Sequence, residues 1–398
     1  MTDISISRRQ AVNQRITAAL MGPWRTAPLV VALIVIVIFF NAQNPLFLTS
    51  RNLTNLSNQI AVLMTVSLAL VGMLLVRQLD LSLAALAAVV GGVAAKLSVE
   101  IGLDVVLAIA LALTGGVAVG ILQAVIVTGF RAPSFIVTLG GMFVMNAVLL
   151  WLLPATSVIP LADTPLAVIS NTFVPAWFSY LLLGVALLAF LAMRLSDHRG
   201  RLAALAPSSL LRAVIVPTLI IGVLGLVCLV FVFNAYRGVP TPVVIVMILM
   251  LLLSYITTQT RFGRKVYAVG GNPEAARRAG ISVPLVTVVV FALGGFLAGV
   301  AGIMAASRQL GVSAASSDLS LLLEALAAVV IGGVSLFGGR GSVWAALLGS
   351  LVIGSISNGL YLLNASTELR WTIQGLVLVV AVVIDSLISR RSGAPTDN

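Results

Sequence analysis

Twelve apolar runs, separated by short polar breaks, constrain this chain more than any other feature. They lie near residues 27–43, 59–77, 81–99, 103–129, 134–153, 177–194, 213–233, 241–259, 284–306, 318–337, 341–363 and 370–389. At about 1.5 Å per residue, a helix of roughly 20 residues spans the ~30 Å hydrocarbon core of a bilayer. No water reaches an open backbone in that core, so an apolar run of this kind crosses as a helix. The expectation is an all-α, polytopic membrane protein with about twelve transmembrane helices. Composition leaves little room for a soluble domain: 60 % of the 398 residues are hydrophobic and 9 % are charged, against roughly 25 % charged in soluble domains. The expected organisation is a leader over 1–26, a membrane domain over 27–389 and a short tail over 390–398. The leader is too long for a signal-peptide n-region, so the first run is expected to remain as an uncleaved span.

An even number of crossings puts both termini on one side, and Lys and Arg near span ends stay in the cytoplasm. The side that includes the termini carries eighteen: Arg8, Arg9, Arg15, Arg25, Arg77, Arg131, Arg194, Arg199, Arg201, Arg212, Arg261, Arg264, Lys265, Arg277, Arg278, Arg340, Arg390 and Arg391. The other side carries five: Arg51, Lys96, Arg237, Arg308 and Arg370. Both termini are therefore expected in the cytoplasm. The net charge of +11 is a topological signal at the lipid interface, with no nucleic-acid partner expected. Cys228 is the single cysteine, which excludes an intrachain disulfide and a Cys-rich metal site. Its apolar surroundings predict a small core residue. The lone His198, within "RLSDHRGR", is expected in a solvated loop.

The longest cytoplasmic loop, 260–283, has more local structure than a connection needs. It reads "TRFGRKVYAVGGNPEAARRAGISV". Asn272 suits an N-cap, Pro273 the first helical position, and Glu274 places a negative charge against the positive end of the helix dipole. Arg277 and Arg278 fall in the last turn, and Gly280 supplies a left-handed C-cap. The expectation is one short helix of about seven residues, which is unstable alone in water and must be docked. Charge retention explains the cations. It does not explain Gly270 and Gly271, the caps, or the exposed Ala275 and Ala276, which suit a knob that fits a cytoplasmic partner.

The stretch "RFGRKVYAVGGNPEAARRAGI" closely resembles the cytoplasmic signature of membrane permeases in the ribose/xylose branch of bacterial ATP-binding-cassette sugar importers. Other segments agree in order. "RAPSFIVTLGGM" (131–142) is similar to that family's Pro-Ser-Phe-Ile-Val-Thr-Leu run, and "AAVVIGGVSLFGGRGSVWAALLG" (327–349) to its Gly-Gly-x-Ser-x-x-Gly-Gly segment. "SNGLYLL" (357–363) matches the Asn-Gly-Leu that follows, while in "LDLSLAA" (79–85) Leu83, Ala84 and Ala85 replace the usual Val-Gly-Ser. Relative to the ribose-type pattern, about 155–235 looks inserted and ends in "NAYRGVPTPV" (234–243), which resembles the xylose-type and multiple-monosaccharide permeases. Ten family helices plus this extra pair give twelve.

The resemblance implies a permease subunit that passes a monosaccharide, with xylose the first candidate, across the bacterial inner membrane. It implies an ATP-binding-cassette ATPase holding ATP and Mg, a periplasmic sugar-binding protein and a second permease copy as partners. The residues implied to couple to the ATPase are Arg261, Gly263, Arg264, Tyr267, Gly270, Gly271, Asn272, Pro273, Glu274, Ala275, Ala276, Arg277, Arg278 and Gly280.

A charge at the bilayer centre costs about 2.5–3.5 kcal/mol on insertion scales, so polar residues in or beside the spans call for an account. Asp80 follows Arg77 by three residues, which on a helix allows an interfacial ion pair. Alternatively, Asp80 stands with Gln78 and Ser82 near the sugar path or its gate. Glu324 suits a gate or a helix-to-helix hydrogen bond. Ser67, Gln123, Asn146, Ser355 and Asn358 suit a passage lining or the polar glue between membrane helices. Gly116 with Gly120 and Gly295 with Gly299 fit close helix crossings.

The sequence has no Gly-x-x-x-x-Gly-Lys-Ser/Thr phosphate loop, and its two lysines, Lys96 and Lys265, lie in no such context. The chain itself is expected to bind no cofactor and no metal, and to carry no catalytic residue. The rival is an ion-gradient-coupled secondary sugar transporter, which would likewise have about twelve spans and a few buried carboxylates.

Overall fold

Each of the twelve apolar runs falls on a helix. The computed structural model describes residues 27–203 and 209–391. The 1–26 leader with its four arginines, and 392–398 of the tail, lie outside the described residues. In chain order the first half holds α1 (Ala27–Gln43), α2 (Ser50–Leu75), α3 (Leu83–Val99), α4 (Val105–Gly129), α5 (Ser134–Leu152), the short α6 (Pro165–Asn171) and α7 (Ala176–Ala203). The second half holds α8 (Val216–Val227), α9 (Thr241–Gln259), α10 (Arg261–Gly271), α11 (Pro273–Arg278), α12 (Val283–Gln309), α13 (Leu319–Ile331), α14 (Val343–Leu362) and α15 (Thr367–Arg391). Among the described residues, nine helical stretches are long and apolar enough to cross a membrane, and α1 and α3 are shorter apolar helices.

Several boundaries differ from the apolar runs for physical reasons. α2 begins at Ser50, nine residues ahead of the run, because Thr49 caps it by accepting from Asn52 N. Its polar first turns are paired: Asn52 exchanges hydrogen bonds with Asn358, and Asn58 donates to Ser170 O at 2.9 Å. α7 runs on through the polar "RLSDHR" to Ala203 because Ser196 and Asp197 bond Gln259 at the end of α9. His198 is therefore a buried helical residue and not a solvated loop. Cys228 is exposed, not packed in a core. It follows α8, whose side chains are all outside the interior.

α2 is the hub: most of it is buried, and α9, α12, α13 and α14 pack around it. α12 then crosses α3 and α4 at short range. A Cβ on Gly116 would stand 2.8 Å from Gly295 O, and one on Gly295 would strike Gly116 O, so the two glycine pairs expected at crossings meet each other. Main chains this close gain dispersion energy where lipid offers no hydrophobic drive. α5, α7 and α8 turn large apolar side chains outward, as membrane-facing helices do.

The two ends of the bundle differ. At one, α10 and α11 project as a helix pair. At the other, β1 (Val158–Pro160) pairs antiparallel with β4 (Gly311–Ser313), and β2 (Phe173–Val174) with β3 (Val239–Pro240). There α6 is seated on α12, with Ser170 donating to Met304 O and Ser307 donating to Ala167 O.

Candidate functional site

The 260–283 loop is two helices, not one. Thr260 caps α10 by accepting from Gly263 N at 3.2 Å, and Gly263 is buried where a Cβ would meet Thr257 O. Val266, Val269 and Gly270 face the bundle, whereas Arg261, Arg264 and Lys265 face outward. Asn272 then breaks the helix with an extended backbone, and its Oδ1 accepts from Ala275 N at 3.0 Å to start α11 behind Pro273. Gly280 N–H donates to Arg277 O and Ile281 N–H to Ala276 O, with Gly280 at φ +79°. This is the left-handed C-cap the glycine implied. Ala276 is buried and anchors α11, contrary to expectation, whereas Ala275 is exposed. Glu274 and Arg277 form an exposed ion pair at 2.9 Å, of a kind that contributes little.

The pair is seated by main-chain atoms from two distant segments. A Cβ on Gly270 would fall on Leu75 O and Gly339 N, so only glycine fits. Gly339 N donates to Leu75 O at 3.1 Å, and Tyr267 donates from its hydroxyl to Gly341 O at 2.9 Å. Burial pushes the Tyr267 phenol above its ordinary range, which keeps it a donor. Arg77 closes the seat: Nε donates to Gly270 O at 2.7 Å and Nη2 to Gly271 O at 2.9 Å. These carbonyls end α10, so the cation also meets the negative end of a helix dipole.

Arg77 forms no ion pair with Asp80. α2 stops at Leu75, and Arg77 adopts a left-handed backbone, φ +60°, that turns its side chain toward α10. The expected pairing assumed a helix that is absent there. Asp80 is buried beside Ser82 instead, accepting from Ser82 N at 2.8 Å and from Ser82 Oγ at 2.7 Å. Gln123 Nε2 donates to Ser82 Oγ at 2.9 Å. Gln78 contributes its backbone N–H, which bonds Met73 O at 3.0 Å.

Two residues not singled out in the sequence hold this break open. Ser134 Oγ accepts from Leu79 N at 3.2 Å, and one turn on Thr138 Oγ1 accepts from Leu81 N at 3.0 Å. Hydroxyls at i and i+4 just after Pro133 carried the signal. The unwound segment 78–82 thus borrows partners from α5, as non-helical backbone within a membrane bundle must.

The remaining path candidates are scattered. Ser67 bonds Leu63 O within its own helix and approaches Ser350 on α14, and Asn146 accepts from Ser317 at 2.5 Å. Asn358 pairs with Asn52, and Ser355 is buried on α14. Glu324 accepts from Ser357 on α14 at 2.9 Å and from Gln374 on α15. The structure joins Asp80, Ser82 and Gln123, and places Ser67, Asn146, Glu324 and Asn358 at other helix contacts.

Comparison with known proteins adds the family. A family model described as "Branched-chain amino acid transport system / permease component" matches residues 52–382. The chain is 34 % identical over 368 residues to the xylose transport system permease protein XylH of Escherichia coli, covering 92 % of each chain. It is 33 % identical over 359 residues to XylH of Haemophilus influenzae, covering 90 % of this chain and 95 % of that one. To the ribose import permease protein RbsC of Escherichia coli it is 30 % identical over 356 residues, covering 89 % and 92 %. No solved structure matches it.

Proposed function

This chain belongs to that permease family, and on that premise we propose that it is the membrane subunit of an ATP-driven importer that carries a monosaccharide, xylose first among the candidates, across the bacterial inner membrane. The observation that carries the coupling part of the reading is the α10–α11 pair. Its outer surface, Asn272, Glu274, Ala275, Arg277 and Arg278, is exposed, while its inner surface is bolted to the end of α2 and to the loop between α13 and α14.

An ATPase subunit that holds ATP and Mg would receive α11 in a cleft. Its closure would shift the helix pair as a rigid body, because Arg77, Tyr267 and the Gly270–Gly339 contact leave no slack. The motion would reach the end of α2, the unwound segment beside Asp80, and the start of α14. That is a short lever between a nucleotide site on one subunit and a path lined by another. A periplasmic binding protein would deliver the sugar to the far face, and two copies of this chain would enclose the path.

The test is uptake of labelled xylose by cells lacking and then regaining this gene, with a protonophore arm in which cellular ATP is maintained. Uptake that depends on the chain and survives the protonophore is expected. Collapse with the proton gradient would favour the ion-coupled carrier instead.

A further inference from the structure

A second polar centre lies at the opposite end of the spans from α10–α11. The loop that seats α10 follows the end of α13, so α13 begins, at Leu319, on the side of the bundle away from α10. Glu324 is five residues inside α13, Ser357 five residues before the end of α14, and Gln374 seven residues inside α15. At about 1.5 Å per residue each sits roughly 8–10 Å in from its helix end on that side, and their hydrogen bonds hold them at one level.

The donors there meet one oxygen: Ser357 Oγ and Gln374 Nε2 both bond Glu324 Oε1, while among the described residues none donates to Oε2 and no cation pairs with it. Glu324 and Gln374 are each half-buried. A carboxylate oxygen left open on the flank of a membrane helix cannot rest against hydrocarbon, so this flank faces water or a polar ligand. Helix-to-helix glue accounts for Oε1 and leaves Oε2 without a reason.

Aromatic rings border the same flank. Trp371 precedes Gln374 by three residues and Tyr361 follows Ser357 by four, which puts each on the side of its helix that carries the polar group. The Arg370 guanidinium covers the Tyr361 ring at 4.2 Å, whereas Trp371 is 65 % exposed. An open carboxylate oxygen, an amide and a bare indole face suit a neutral polyhydroxylated ring, whose hydroxyls bond the first two while its C–H face lies on the third.

We propose that Glu324, Gln374 and Trp371 form a monosaccharide-handling site in the outer half of the path. This rests on the importer reading above. A site made of three side chains on the flank of two helices holds the sugar weakly, which suits a step that must release it.

The test uses right-side-out vesicles bearing the whole importer, with Cys228→Ser as the parent so that introduced thiols are the only ones in this chain. Thr367→Cys, an exposed residue one turn before Trp371 on the same flank, is compared with Trp151→Cys, an 82 % exposed residue at the outer end of α5. A membrane-impermeant methanethiosulfonate is the probe, applied with and without xylose, ribose, arabinose or galactose. Modification of Thr367→Cys is expected to slow about threefold with at least one sugar while Trp151→Cys is unaffected. An unreactive Thr367→Cys, or one that no sugar protects, overturns the site. Glu324→Gln, which keeps an acceptor for Ser357, is expected to lower uptake about tenfold at equal protein level while preserving ATPase stimulation by the binding protein. Unchanged uptake overturns the role of the carboxylate. If the parent vesicles show no ATP-driven uptake of any of these sugars, the importer reading itself fails; if they do, the outcomes above judge the site alone.

Discussion

Arg77 Nε donates to Gly270 O at 2.7 Å, tying the end of a buried membrane helix to the helix pair that projects from the bundle 193 residues further along the chain. Hydrogen bonds from a charged donor contribute about 1.5–3 kcal/mol each, and Arg77 makes two to this helix end. Arg77→Ala is expected to leave insertion intact, expose the 260–283 segment to limited proteolysis, and cut ATP-dependent uptake at least about tenfold. Arg77→Lys restores one donor without the fork and should recover part of the loss. Wild-type uptake in both variants would remove this contact from the mechanism.

Adjacent glycines should respond in opposite ways. A Cβ at Gly271 meets nothing within 4 Å, whereas one at Gly270 meets Leu75 O and Gly339 N. Gly271→Leu is therefore expected to fold normally and block partner docking, seen as unchanged melting with lost ATPase association. Gly270→Ala should lower stability by about 1–3 kcal/mol through forced overpacking, seen as a lower melting temperature in detergent. Equal melting temperatures for the two would contradict the seat.

Tyr267 gives a pH dependence with a definite sign. Its folded-state pKa is raised by burial above the ordinary value near 10. Its contribution is thus complete below pH ~10 and lost as pH rises through the folded value. Tyr267→Phe should cost about 1 kcal/mol at neutral pH, and the gap between the two melting curves should close only under strongly alkaline conditions. A gap that closes between pH 6 and 8 would mean another group is responsible.

Thr138 supports the unwound segment before α3. Thr138→Val leaves Leu81 N–H without its acceptor at nearly constant volume, an expected cost of about 1–3 kcal/mol. Thr138→Ser keeps the hydroxyl and should stay close to wild type. Measured melting of the three proteins ranks them; a Val variant as stable as the Ser variant would show that water replaces the hydroxyl.

Much of this architecture was legible because a bilayer imposes a length on apolar helices, and every expected run lies on one. The α11 caps were legible too, since Asn272, Pro273 and Gly280 each meet a local backbone demand. α10 was missed: a short amphipathic face of Val266 and Val269 between basic residues looks like a charged loop until its partner surface is known. Arg77 was misplaced because a left-handed turn at a non-glycine residue leaves no mark in composition or period. Ser67 and Asn358 kept both meanings in the sequence, since a polar residue that glues helices and one that lines a passage have the same spelling. The hydrogen bonds of Ser67 to Leu63 O and of Asn358 to Asn52 supply the partners that the sequence does not name.

The seat beneath α10 consists largely of main-chain atoms: Leu75 O, Gly270 O, Gly271 O, Gly339 N and Gly341 O. Such a joint is indifferent to most side chains around it, provided the glycines, Arg77 and Tyr267 remain. If α11 docks on an ATPase as proposed above, its outward surface is free to be rewritten for a different partner without recutting the joint. In engineering terms the proposed importer would have a standard socket with an exchangeable plug, and swapping 272–279 between permeases should then transfer the choice of motor while leaving the choice of cargo behind.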